Sequence, residues 1–319
     1  MKAAIYDRNG GPDVLRYADV PDARPGEGEV LIAVEAISIE GGDLIHRRIA
    51  PPPGPGHIVG YAAAGTVVAT GAGVTTRKVG ERVTSFALAG SHASLRAVPA
   101  HQTWLVPEGL DMADAAALPI SFGTAHHCLF ARGALKAGET VLVQAAAGGV
   151  GLATIQLAKA GGGRVIAVSS GADRLERLRE LGADHVLDHR SDDIAEAVRE
   201  LTEGRGADLV VDPVGTTLPV SLKALVPEGR LVFVGNAGGG ALNPDLWPAM
   251  EANQTLLGVY MGTQFGYPQV AATVDRMLAD VAAGTLHVPI DRRFALAEAA
   301  KAHEHAERGK PFGRVVMQP

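Results

Sequence analysis

The chain has 319 residues, 47% hydrophobic and 20% charged, enough for two domains with sizeable cores. Its net charge of −6 leaves no footprint for nucleic acid or an anionic membrane surface. The single cysteine, Cys128, excludes an intrachain disulfide and a four-cysteine zinc site and reads as a packing residue, while the polar opening MKAAIYDRNGGPDVL predicts a cytoplasmic protein with no leader.

Residues 1 to about 120 carry short β-like runs, EVLIAVEAISI, AAAGTVVATGAG and GERVTSFA, split by Gly and Pro, which predicts a small irregular β-rich barrel. PPPGPG at 51–56 cannot join a central strand and reads as loop. The histidine pairs His126/His127 and His303/His305 do not put two imidazoles on one helix face, so they read as solvated or core residues.

The segment TVLVQAAAGGVGLATIQLAKA then reads as a buried strand (Val141, Leu142, Val143), a turn of small residues and a helix beginning near Gly149. Gly148, Gly149, Val150 and Gly151 form the turn. Its glycines let the backbone approach a pyrophosphate, at which the helix points free amides and the positive end of its dipole. Against G-x-G-x-x-G the turn has Ala146 first, a slight relaxation.

Alternation continues with strand RVIAVSS, helix ADRLERLRELGAD, strand HVLDH and helix SDDIAEAVRELTEG, opened by Ser191 and acidic residues. Strand ADLVVDPVG, helix TLPVSLKALVPEG, strand RLVFVGNAGG and a sixth strand from Thr255 complete a doubly wound parallel sheet. At the tip of the second strand, where an acid would accept from an NAD ribose, stand Ser169 and Ser170, followed by Arg174. Hydroxyls and a guanidinium there suit a 2′-phosphate, and His189 adds a donor, which favours NADPH over NADH; the other reading makes Arg174 one of several solvated helix charges. Past about residue 258, a helix in YPQVAATVDRMLADVAAG, the helix AEAAKAHEHAERG and the strand GRVVMQP are too small for a domain of their own and are expected to return to the first.

The chain resembles the medium-chain dehydrogenase/reductase superfamily, in its zinc-independent quinone oxidoreductase branch. The resemblance runs end to end, on MKAAIYDRNGGPDVL, GYAAAGTVVATGAGVTTRKVGERV, AALPISFGTAHHCLF, AAAGGVG, VVDPVG, GRLVFVGNAGG and AHEHAERGKPFGRVVMQP. It implies an α/β protein with a GroES-like β-rich catalytic domain at 1–121 and 257–319 and an inserted Rossmann NADP-binding domain at 122–256. It also implies NADPH as cofactor and a homodimer formed through the Rossmann edge strand near 255–260.

The resemblance carries site residues as well. Where the zinc branch has its first catalytic cysteine this chain has Glu40, and where that branch has Gly-His-Glu it has Gly60, Tyr61 and Ala62, so no metal site is expected. Without a Lewis acid, ordinary alcohol dehydrogenation is disfavoured, and reduction of an activated quinone or α,β-unsaturated carbonyl is the expected reaction. Thr124 matches a residue beside the nicotinamide; Val214, Gly235, Asn236 and Ala237 match loops that line it.

The substrate side departs from the branch. Its Asn-x-x-Asp-x-Tyr becomes Glu40, Gly41, Gly42, Asp43, Leu44, Ile45, with Asp43 retained and Tyr61 expected to supply the missing hydroxyl. Glu40 is open to three readings: holding a basic substrate, relaying a proton, or pairing with Arg47 or Arg48. Two alternative functions stand beside the reductase: an enoyl-thioester reductase, for which Arg47, Arg48, Arg77 and Lys78 are the only basic cluster, and a non-catalytic NADPH-binding sensor.

Overall fold

The computed structural model describes residues 1–319, which form two compact units: Met1–Gly123 with Met261–Pro319, and Thr124–Tyr260. In the first unit the chain runs through β1 (Lys2–Tyr6), β2 (Arg16–Asp19), β3 (Glu29–Ser38), α1 (Gly41–Ile49), β4 (His57–Ile58), β5 (Ala62–Thr70), β6 (Arg82–Phe86), β7 (Leu95–Pro99) and β8 (Thr103–Leu105). It passes to the second unit inside α2 (Met112–His126). Residues 51–56 carry no helix or strand.

The second unit holds β9 (Thr140–Val143), α3 (Gly149–Ala160), β10 (Arg164–Ser169), α4 (Ala172–Glu180), β11 (His185–Asp188), α5 (Ile194–Leu201) and β12 (Ala207–Asp212). It continues with α6 (Leu218–Lys223), β13 (Leu225–Phe233), α7 (Trp247–Glu251) and β14 (Thr255–Gly258). The chain then returns to the first unit with α8 (Pro268–Ala282), β15 (Ile290–Ala295), α9 (Ala299–Arg308) and β16 (Arg314–Gln318).

The first unit is built on a seven-stranded sheet ordered β15-β16-β3-β5-β6-β8, with β7 also paired to β3, and a three-stranded sheet β2-β1-β4. In β3 the alternate residues Val30, Ile32 and Val34 turn inward, joining Tyr6, Val67, Val83, Val98 and Met317 in one core. Gly65 permits the irregular β3–β5 pairing: a Cβ there would lie 2.0 Å from the Ala33 carbonyl oxygen.

The second unit is a six-stranded parallel sheet ordered β11-β10-β9-β12-β13-β14. Chain order reverses between β9 and β12, so the carboxyl ends of those two strands flank a topological switch point, where open α/β sheets bind ligands. All of β9 is buried, as its unbroken apolar run requires in a parallel sheet.

Two local expectations are corrected. Asp193, not Ser191, caps α5: its carboxylate accepts the Glu196 amide at 3.1 Å, while the Ser191 hydroxyl donates to Asp192. The VPEG segment belongs to β13 rather than to the preceding helix, because Pro227 has no N–H to continue a helix and Glu228 takes φ +60°. The short α7 is an addition that no periodicity announced.

Candidate functional site

The expected site residues fall in two groups, one in each unit. In the nucleotide unit, α3 begins at Gly149 behind the N-cap Gly148, and no side chain caps its first turn. A Cβ at Gly151 would meet Ala146 Cα at 2.5 Å, so only glycine lets the helix seat this closely on the turn. The Ala146 amide donates to the Val168 carbonyl, tying the turn to β10. Exposed amides and an uncapped dipole end fit a pyrophosphate.

At the tip of β10, Ser169 and Ser170 are buried and Gly171 turns the chain at φ +89°. Arg174 folds back from α4: its Nε donates to the Ser170 carbonyl at 2.8 Å and its Nη2 to the Ser170 hydroxyl at 2.8 Å. This fixes the guanidinium instead of leaving it a roaming helix charge. Its pKa is lowered by burial and by the nearby Arg190, against a smaller pull from Asp188. His189 is exposed and its amide donates to the Ser169 carbonyl. The Asp188 carboxylate accepts the amides of Gly171 and Arg190, each at 3.0 Å, which hold it below the usual range. The tip therefore gathers Ser169, Ser170, Arg174 and His189, and adds Arg190, which the spacing after the third nucleotide strand did not single out.

The loops after β12 and β13 are stitched into one plate. The buried Asp212 accepts the amides of Val214 (2.8 Å) and Gly215 (3.1 Å) and the hydroxyls of Thr217 and Ser221, so its charge is fully solvated by protein donors. Gln144, just beyond β9, donates to the same Ser221 hydroxyl. The amides of Ala237 and Gly238 donate to the carbonyls of Pro213 and Val214, and Gly235 takes φ +92°. Val214, Gly235, Asn236 and Ala237 are thereby brought together. Asn236 Nδ2 donates to the Gly240 carbonyl, while its Oδ1 is buried with no protein partner, an acceptor that suits a ligand hydroxyl or amide. Thr124 is buried in the last turn of α2.

In the other unit, Glu40 is the N-cap of α1 and Asp43 closes a capping box, accepting the Glu40 amide at 2.8 Å. Both carboxyls are buried, and burial raises both pKa values; Arg314 opposes the shift at Glu40, and the hydrogen bond from the Glu40 amide opposes it at Asp43. The expected pairing of Glu40 with Arg47 or Arg48 is corrected. Glu40 Oε2 meets Arg314 at 2.7 Å and Oε1 accepts from Ser38, whereas Arg47 is sealed inside against Glu307 and the Gly10 carbonyl. Arg314 lies far along the chain on β16, which packs antiparallel to β3, so no local spacing could name it.

Tyr61, just before β5, is half-buried, with its hydroxyl 3.0 Å from His46 Nδ1 on α1. Its carbonyl accepts a 2.8 Å hydrogen bond from the buried Arg96. Of the basic cluster considered for an acyl carrier, Arg47 is buried and Arg77 donates to the Thr103 hydroxyl and carbonyl, while Arg48 and Lys78 are exposed. Cys128 is fully buried and its thiol is pushed up by desolvation, so it is unreactive. Nowhere do three or more His, Cys, Asp or Glu side chains group as a metal ion requires, and no helix is long and apolar enough to cross a membrane.

The family model for the alcohol dehydrogenase GroES-like domain matches residues 26–108, and that for zinc-binding dehydrogenase matches 149–278. The quinone oxidoreductase of Pseudomonas aeruginosa is 34% identical over 97% of both chains. The 2-haloacrylate reductase of a Burkholderia species is also 34% identical, over 100% of this chain and 99% of that protein. The structure of Escherichia coli quinone oxidoreductase complexed with NADPH superposes with a TM-score of 0.94 over the whole of both chains at 27% identity.

Proposed function

The chain belongs to the medium-chain dehydrogenase/reductase superfamily, among its quinone oxidoreductase-like members, and from that premise we propose an NADPH-dependent, zinc-independent reductase of quinones or α,β-unsaturated carbonyls. The observation that carries the cofactor is the pairing of an uncapped glycine turn at α3 with the Arg174/Arg190 tip beyond β10. The first suits a pyrophosphate and the second a 2′-phosphate. The relatives named for quinones and for 2-haloacrylates share an electron-poor π system as acceptor, which is the substrate class proposed for this chain.

When bound, the reduced nicotinamide supplies the hydride. The protein's share is positioning and charge stabilisation. Thr124, Val214, Gly235, Asn236 and Ala237 hold the nicotinamide end, and Gly148, Gly149, Val150 and Gly151 hold the pyrophosphate. Hydride arrival at an electron-poor carbon drives a π pair onto oxygen, and a hydrogen-bond donor must meet that charge. Glu40 is taken up by Ser38 and the Arg314 pair, Asp43 gives one oxygen to the capping box while its buried Oδ1 has no protein partner, and Tyr61 is the donor.

The protein acts as a homodimer through β14. That strand is the free edge of its sheet, and the neighbouring Trp247 and Met250 on α7 are 62% and 58% exposed. Light scattering on purified protein tests the dimer.

Loss of NADPH absorbance with 9,10-phenanthrenequinone or an alkenal tests the activity. Tight NADPH binding without turnover on either acceptor would overturn the reductase and support a sensor.

A further inference from the structure

We propose that His46 is the proton source behind Tyr61, and that the two together deliver the proton that reduction calls for on the acceptor oxygen. The inference rests on the reductase reading. Its observations all lie within the first unit.

The phenol of Tyr61 reaches α1 only because residue 42 is glycine. A Cβ on Gly42 would fall 2.2 Å from Tyr61 Cε2 and 2.8 Å from its hydroxyl oxygen, against the stiff ring of the tyrosine. Position 45, where the quinone reductase pattern has a tyrosine, is Ile45. The hydroxyl lost from α1 at residue 45 is thus returned to the same helix from residue 61, through the gap that Gly42 leaves. Gly42, Ile45 and Tyr61 thus form a single arrangement.

That arrangement is held from several sides. The Tyr61 carbonyl accepts from Arg96 Nη2 at 2.8 Å and from the Ala87 amide at 3.0 Å. The ring meets Phe86 edge-on at 6.1 Å between centroids and His46 edge-on at 5.5 Å. The hydroxyl then has His46 Nδ1 within 3.0 Å. Both residues are half-buried. The pKa of His57 on β4 is lowered by burial and, less, by the charge of His46, and Tyr6 lies edge-on against the His57 ring.

The chemistry balances without a further reagent. As hydride bonds to the electron-poor carbon, the π pair leaves as an oxyanion. The Tyr61 O–H bond breaks and its proton bonds to that oxygen. The phenolate takes the proton from His46 Nδ1 as the ring takes one from water at Nε2. One hydride and one proton are consumed per acceptor reduced. Tyr61 is the catalytic residue and His46 acts through it.

The test uses whole protein, NADPH and 9,10-phenanthrenequinone. Tyr61→Phe should lower kcat about 100-fold with NADPH affinity unchanged. His46→Ala and His46→Gln should lower kcat while leaving the melting transition intact, since Gln keeps a polar side chain but cannot shuttle a proton. Added imidazole should restore His46→Ala and leave Tyr61→Phe unrescued, and the double variant should be no slower than Tyr61→Phe alone. Wild-type turnover in His46→Gln, or a slow His46→Ala that imidazole does not rescue, overturns the relay and leaves the reductase standing. Wild-type protein that binds NADPH and reduces no acceptor overturns both.

Discussion

Arg314 on β16 places a guanidinium nitrogen 2.7 Å from Glu40 Oε2 at the start of α1, and also donates to the Ile39 carbonyl. The pair locks α1 to the final strand and neutralises a carboxylate that burial otherwise disfavours. Arg314→Gln should cost about 3 kcal/mol near neutral pH, the cost of stranding one buried charge. The raised Glu40 pKa sets the sign: protonated Glu40 needs no cation, so the loss should shrink as pH falls through the folded pKa. Urea denaturation of wild type and variant across that range measures it.

His92 and His303 form a second buried relationship, their Nε2 atoms 2.8 Å apart. Burial, with Arg96 adding, pushes His92 down to about 3, and burial, His92 and Arg47 lower His303. Both bind a proton more readily when unfolded. Their stabilisation is therefore complete above the ordinary histidine value of 6.5 and is lost as pH falls below it, for His92 down to about 3. Replacing both with Gln should flatten the acid side of the stability curve, read from melting temperature against pH.

The Arg174/Arg190 tip predicts a cofactor preference. Arg174→Ala and Arg190→Ala should each weaken NADPH by about tenfold, in line with a lost charge-assisted hydrogen bond, and NADH much less. Fluorescence titration with the two nucleotides checks this. Equal weakening of both would remove the case for phosphate recognition.

Asp212 predicts a coupling between loops. Asp212→Asn puts an amide among donors that need acceptors, a cost of about 2 kcal/mol for the groups left unsatisfied. Hydrogen exchange of the amides at 214–217 and 236–239 should quicken together, because Val214 and Gly238 share a hydrogen bond. NADPH affinity should fall in parallel.

The nucleotide sheet is legible in the chain because it is local. Each strand and helix is a continuous run whose period and glycine placement decide it, as from Thr140 to Ala160. The glycine turn, the serines at 169 and 170, and Arg174 are readable for the same reason, since a strand tip and the first turn of the next helix are neighbours in sequence and in space. The misreadings are local too: Pro227 and Glu228 break a helix whose apolar spacing still looked continuous, and Asp193 outcompetes Ser191 for a cap two residues away.

What only the tertiary structure decides is the partner of each polar side chain. Charge and spacing allowed Glu40 to pair with Arg47 or Arg48, yet burial turns Arg47 toward Glu307 and the β3–β16 pairing brings in Arg314. Tyr61 and Gly42 are likewise unremarkable apart, and meet because β5 and α1 converge. A residue's type and local period follow from backbone sterics and hydrophobic patterning, which the chain carries in its own order. Which charge neutralises which depends on distances set by strand pairing between segments remote in that order, and these exist only once the sheet has formed.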